Sequence, residues 1–192
     1  NVLDSLGAEF GDRIGTLAWN DHRHMELYYA VSGSGMVCHT INPKLFPEQV
    51  TYIINHAEDK ILFVDVLVMP LLEALKEHLS KVETIVVLTT KESMPETSLA
   101  NVECYEELLA AQSDDYDWPQ FDENTASGMC YTSGTTGNPK GVVYSHRSTV
   151  LHALGGALPD VTRASNLETS LPVVPMFHVN AWGAPYAALM VG

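Results

Sequence analysis

The chain has 192 residues, 46% of them hydrophobic and 18% charged, and its 24 acidic side chains against 10 basic ones give a formal net charge of −14. Length and apolar content allow one domain with a real core, or part of a larger one, and exclude a disordered tail. The charge argues against a basic nucleic-acid surface and against docking on anionic lipid. A polyanionic ligand would therefore have to be met locally, by backbone amides, a few cations and a metal ion.

In chain order, the opening residues suggest a helix leading into a strand at residues 13–19 (Arg-Ile-Gly-Thr-Leu-Ala-Trp). Asn20 and Asp21 supply capping chemistry for a helix to about residue 32. Residues 36–41 form a second apolar, partly β-branched run. A helix is predicted over 47–56, with Val50, Ile53, Ile54 and Ala57 on one face. Residues 61–64 are strand-like, 70–79 helical, 84–88 a β-branched strand and 105–111 helical. A strand over 126–131 leads into a Gly-rich loop, followed by a helix over 148–158, a strand over 170–174 and a helix over 185–190. Strands and helices alternate, and several strands are apolar throughout. That predicts an α/β fold with a mostly parallel sheet covered by helices on both faces. Residues 92–101 and 113–124 are linker-like, and the acids of the second (Asp114, Asp115, Asp117, Asp122, Glu123) suit a solvated loop better than a metal site.

Cys38, Cys104 and Cys130 are scattered and form no CxxC pair, so neither a disulfide framework nor a zinc knuckle is indicated and a reducing, cytoplasmic setting is expected. No charged residue occurs from Leu171 onward, but Pro172, Pro175, Gly183 and Pro185 interrupt the apolar run and His178 and Asn180 place polar groups inside it. A membrane span is therefore not expected there. The first residue is not methionine, and the last follow an apolar run without a polar closing segment. On that ground the chain is expected to be a piece of a longer protein.

The chemistry concentrates at Tyr131-Thr132-Ser133-Gly134-Thr135-Thr136-Gly137-Asn138-Pro139-Lys140-Gly141-Val142. Its glycines let consecutive amides turn inward on an anion, and the hydroxyls of Thr132, Ser133, Thr135 and Thr136 add donors for phosphate or a ligand oxygen for a metal. Lys140 is the sole Lys or Arg between Lys91 and Arg147, a placement that makes sense if it meets phosphate. No Gly-Lys pair stands at the Walker A distance from Gly134, and a dinucleotide fingerprint at Gly33-Ser34-Gly35 fails because position 38 is Cys38. His22, His24 and His39 have no metal-ligand spacing and are expected to be structural or on the surface.

This loop, continued by Val143-Tyr144-Ser145-His146-Arg147, resembles the signature of the adenylate-forming (AMP-binding) superfamily. Val174-Pro175-Met176-Phe177-His178-Val179-Asn180-Ala181-Trp182 resembles that family's acyl-pocket segment. The stretch from His39-Thr40-Ile41-Asn42-Pro43 through Glu48-Gln49, followed by Ile53-Ile54-Asn55-His56-Ala57-Glu58-Asp59, resembles its medium- and long-chain fatty-acyl-CoA and methylmercaptopropionate-CoA ligase branch. The resemblance implies that residues 1–192 are part of a large N-terminal domain. It also implies an enzyme that joins ATP and a carboxylic acid into an acyl-adenylate and then passes the acyl group to coenzyme A. Thr132 would be the hydroxyl on Mg²⁺, Ser133, Gly134, Thr135, Thr136 and Gly137 would cradle phosphates, and Lys140 would neutralise charge. His178 would stand near the carboxylate and α-phosphate, Val179 and Trp182 near the nucleotide, with Trp182 also gating the acyl tunnel. Other acid-adenylating enzymes (aryl or amino-acid) and a non-catalytic nucleotide-binding remnant are the alternatives. Without the family, a lone His in an apolar segment such as His178 is more often a satisfied core residue, and a Trp such as Trp182 more often packing. Relatives place an adenine-binding aromatic segment, a Thr-Glu pair, a ribose-binding Asp, a hinge and a catalytic Lys beyond the point where this sequence stops, and some form homodimers.

Overall fold

The computed structural model describes residues 1–132 and 137–192. Seven strands form one sheet in the order β5-β4-β3-β1-β2-β6-β7: β1 (Arg13–Leu17), β2 (Val37–Thr40), β3 (Ile61–Val64), β4 (Thr84–Val87), β5 (Val102–Cys104), β6 (Ala126–Thr132) and β7 (Lys140–Ser145). β1 to β6 pair in parallel and β7 runs antiparallel to β6, so the sheet is mostly parallel, as the apolar strands predict. The helices are α1 (Val2–Ser5), α2 (His22–Gly33), α3 (Pro47–Ala57), α4 (Met69–Leu75), α5 (Tyr105–Ala110), α6 (His146–Gly156) and α7 (Ala184–Met190).

Strand alternation divides the core. Ile14, Cys38, Ile61 and Phe63 pack with Leu27, Tyr28 and Val31 of α2 and with Tyr105 of α5. Leu17, Leu62, Val64, Ile85 and Val87 face the other way, onto Val50, Ile53 and Ile54 of α3 and Leu72 of α4. Both sides of these strands are buried, which is why they are apolar throughout. The Asp21 carboxylate caps α2 by accepting from the His24 amide at 2.8 Å.

From β2 the chain crosses back over β1 to β3, and β6 then joins β2 on its far side. The carboxyl ends of β2 and β6 therefore lie side by side while the connections leaving them diverge. Open α/β sheets offer a ligand crevice at such a point.

Several expectations need correction. Residues 170–174 form no strand: they are exposed and pair with nothing among the described residues, and two of their carbonyls, Pro172 and Val174, accept instead from Asn20 Nδ2 at 3.1 and 3.0 Å. Residues 140–145, expected as loop, are β7, and α6 begins at His146 behind a Ser145 cap whose hydroxyl accepts from the Ser148 amide at 3.1 Å. The three-residue β5 was not anticipated. The acidic stretch before β6 is largely exposed, yet Trp118 within it lies over Gly33, where an added Cβ would come 2.6 Å from the indole. Gly33 therefore serves packing and not a nucleotide. No helix among the described residues is long and apolar enough to cross a membrane.

Candidate functional site

β6 is the spine of the site. Its residues alternate: Met129 and Tyr131 pack with Ala57 of α3, while Gly128, Cys130 and Thr132 share the opposite face, as period-2 geometry requires. Thr132 ends the strand, exposed, and the chain returns as β7 with Lys140 directly opposite it. The Thr132 hydroxyl lies 3.5 Å from the Lys140 carbonyl. A hydroxyl and a cation thus flank the neck of one hairpin, on the same sheet face because facing residues of a ladder share a face. Gly137 turns at φ +95°, a conformation that L side chains rarely adopt. Ser133, Gly134, Thr135 and Thr136, the remaining predicted phosphate contacts, lie outside the described residues.

Beside this neck opens a cleft of about 220 Å³ between the ends of β2 and β6. Thr132, Tyr144, His178 and Val179 all line it, with Phe177 and Ile53 among its apolar lining. The segment that carries His178 is firmly held. Asn20 Oδ1 accepts from the Met176 amide at 2.6 Å, the Tyr28 hydroxyl donates to the Met176 carbonyl, and the Phe177 ring meets Trp19 edge-on at 5.3 Å. Trp182 lies outside the cleft, 66% exposed, its carbonyl accepting from His152 Nε2 at 3.0 Å. The structure thus brings Thr132, His178 and Val179 to one cavity, sets Lys140 at its hairpin neck and leaves Trp182 apart.

Behind β6 lies a polar layer that sequence patterning did not reveal. His39 Nδ1 sits 2.8 Å from a carboxylate oxygen of Asp59, both side chains fully buried, and its Nε2 has no partner among the described residues. Burial pushes the Asp59 carboxyl up, against the lowering effect of His39. Tyr131, tilted over His39 with ring centroids 5.3 Å apart, places its hydroxyl 2.6 Å from His56 Nδ1 of α3. Burial, and then the nearby Asp59 charge, push its hydroxyl up to about 12. His22 is exposed and His24 is buried with two partners, so these histidines fill the structural roles expected of them.

No group of three His, Cys, Asp or Glu among the described residues could hold a metal ion. A cation here would have the Thr132 hydroxyl as a protein ligand and would need substrate oxygens for the rest of its shell. That suits Mg²⁺, which keeps few protein ligands and binds substrate phosphates. The three cysteines are free and buried, and burial pushes the Cys38 thiol up to about 12 and raises that of Cys130 as well, which leaves both poor nucleophiles.

All of residues 1–192 match the model of the AMP-binding enzyme family. This chain belongs to that family. Over its whole length it is 54% identical to a 3-methylmercaptopropionyl-CoA ligase of Ruegeria lacuscaerulensis, covering 36% of that protein. It is equally 54% identical to a medium-chain-fatty-acid–CoA ligase of Ectopseudomonas oleovorans, covering 35% of it. Among solved structures, a long-chain-fatty-acid-CoA ligase from Archaeoglobus fulgidus superposes on 99% of the chain with a TM-score of 0.82 at 25% identity, and the chain covers 35% of that protein. The chain therefore spans about a third of the length of these AMP-binding relatives. The resemblance drawn from the three motifs and the mostly parallel α/β fold are both borne out.

Proposed function

We propose that this chain supplies the phosphate-binding hairpin and part of the acid-binding wall of an ATP-dependent, AMP-forming acyl-CoA ligase for aliphatic carboxylic acids, working in the cytoplasm. The observation that carries the reading is the cleft that Thr132, His178 and Val179 line together, with Lys140 across the hairpin neck from Thr132. The CoA ligase names of the relatives at 54% identity support it.

In this reading Lys140 and the hairpin hydroxyls hold the outer phosphates of ATP, and hydrogen-bond donors meet the charge that separates toward pyrophosphate. Mg²⁺, when bound, adds charge neutralisation on the phosphates beside Thr132. His178 orients the carboxylate of the acid so that one of its oxygens attacks the α-phosphorus. Trp182, on the same turn, offers apolar surface to the acyl chain. The acyl group then leaves AMP for the thiol of coenzyme A, forming the thioester.

The test is acid-dependent exchange of labelled pyrophosphate into ATP by the complete polypeptide, across a panel of aliphatic, aryl and amino acids. Aliphatic acids are expected to support exchange. Selective exchange with aryl or amino acids would move the protein to another branch, and nucleotide binding without exchange would make it a non-catalytic binder. Lys140→Ala removes a charge-assisted contact of about 1.5–3 kcal/mol. It is expected to raise the KM for ATP about tenfold to a hundredfold, and an unchanged KM for ATP would remove Lys140 from the phosphate site.

A further inference from the structure

The segment that carries His178 and Val179 ends in a left-handed turn. Val179, Asn180, Ala181 and Trp182 have φ of 48°, 49°, 49° and 55°, and Gly183 follows at 71°. Glycine visits this region freely and asparagine tolerates it, but a β-branched valine and a tryptophan do not choose it. Such a run persists only where its surroundings fix it, and strain of this kind gathers at functional sites. The anchors on Met176 precede the turn, and the bond from His152 to the Trp182 carbonyl closes it. At its centre Ala181 is buried in the core and Asn180 reaches the sheet through its side chain.

Asn180 Oδ1 accepts a hydrogen bond from the hydroxyl of Thr40 at 2.8 Å. Thr40 is the last residue of β2 and is itself buried. The side-chain nitrogen Nδ2 of Asn180 lies against β6 at Gly128, where an added Cβ would come 3.1 Å from it. Cys38 pairs with Gly128 and Thr40 with Cys130, so Asn180 straddles the two strands whose ends form the cleft. Gly128, Cys130 and Thr132 share a sheet face, so Asn180 sits on the row that ends at the predicted phosphate contact. The two residues before it, His178 and Val179, line the same cleft as Thr132.

We infer that Asn180 is a positioning residue: through Thr40 and the space left by Gly128 it fixes the His178–Val179 wall relative to Thr132, and so sets the fit of the acid. This rests on the ligase reading above, and it adds a residue that touches the sheet and not the reacting atoms.

The test uses the complete protein with Thr40→Val, Asn180→Gly and the double variant. Valine keeps the shape of Thr40 without its hydroxyl, and glycine keeps the left-handed backbone without the amide. Each single variant is expected to raise the KM for the acid, and its dissociation constant measured calorimetrically without ATP, about tenfold, a loss of about 1.4 kcal/mol. The KM for ATP should change less than twofold and the melting temperature should hold. The double variant should be no worse than the worse single one, because both remove one bond. Additive losses, or equal losses for ATP and acid, overturn the proposal. Amide hydrogen exchange over residues 179–183 separates this inference from the ligase reading. Faster exchange in both single variants is expected even if the wild-type protein activates no acid, and unchanged exchange overturns the role of Asn180 whatever the activity.

Discussion

His24 illustrates how a titratable side chain becomes part of this core. Its Nδ1 lies 3.0 Å from the Trp19 carbonyl, so that nitrogen carries the hydrogen, and its Nε2 accepts from the Thr16 hydroxyl at 2.9 Å. Burial lowers its pKa from 6.5 to about 4. Between those values the unfolded chain binds a proton that the folded chain refuses, so stability is whole above pH 6.5 and drains as pH falls toward 4. A shift of that size corresponds to about 3 kcal/mol. His24→Gln is expected to flatten this part of the pH dependence, read as the denaturation midpoint of the complete protein between pH 7 and pH 4.5. A wild-type slope retained in the variant would show that other groups carry it. His39 has a different kind of partner, the buried carboxylate of Asp59. Removing one member of such a pair strands the other, at a cost of about 3–5 kcal/mol. His39→Ala should therefore lower the denaturation midpoint far more than substitution of the exposed His22.

At the scale of elements, β6 is tied to α3 just before the hairpin through Tyr131. Tyr52 stacks on His56 with ring centroids 5.2 Å apart and planes 24° from parallel, and His56 meets the Tyr131 hydroxyl. Tyr131 precedes Thr132, so α3 steadies the strand end from which the hairpin springs. Tyr131→Phe keeps the ring over His39 and deletes only the hydroxyl. A few-fold rise in the KM for ATP with little change in melting temperature is expected. An unchanged KM would show that the hairpin is set by its own ladder with β7. The same elements mark what the sequence could and could not convey. β6, its loop and the helix after it follow from apolar runs around a Gly-rich stretch, because those signals are local. β7 escaped because Gly141, Val142 and Val143 are all exposed, so no alternation marks them. The apolar run at 170–174 suggested a strand but finds no partner among the described residues. The His39–Asp59 pair depends on which face each residue presents, and the left-handed turn is imposed on Val179 and Trp182 by distant anchors. Neither leaves a mark in local composition.

At the scale of the whole molecule, two forces oppose each other on the side of α6 and β7. Val150, Leu151, Leu154 and Leu158 form one stripe along α6 and beyond its end, each about half exposed, and Val143 on β7 is 58% exposed. Contiguous apolar surface of this kind, next to a sheet edge, favours association. The net charge of −14 opposes it. Charge repulsion between copies is screened over about 10 Å at 0.1 M salt, whereas apolar contact is not weakened by that screening. The isolated 192-residue polypeptide is therefore expected to self-associate increasingly as salt rises, read as sedimentation at matched protein concentrations. Leu151→Lys with Leu154→Lys gives the discriminating variant. Each added lysine makes the chain less acidic, so electrostatics alone would promote association, while loss of the apolar stripe would abolish it. A variant that stays monomeric at high salt assigns the contact to α6. One that associates more readily than the wild type would show instead that net charge is what keeps the copies apart.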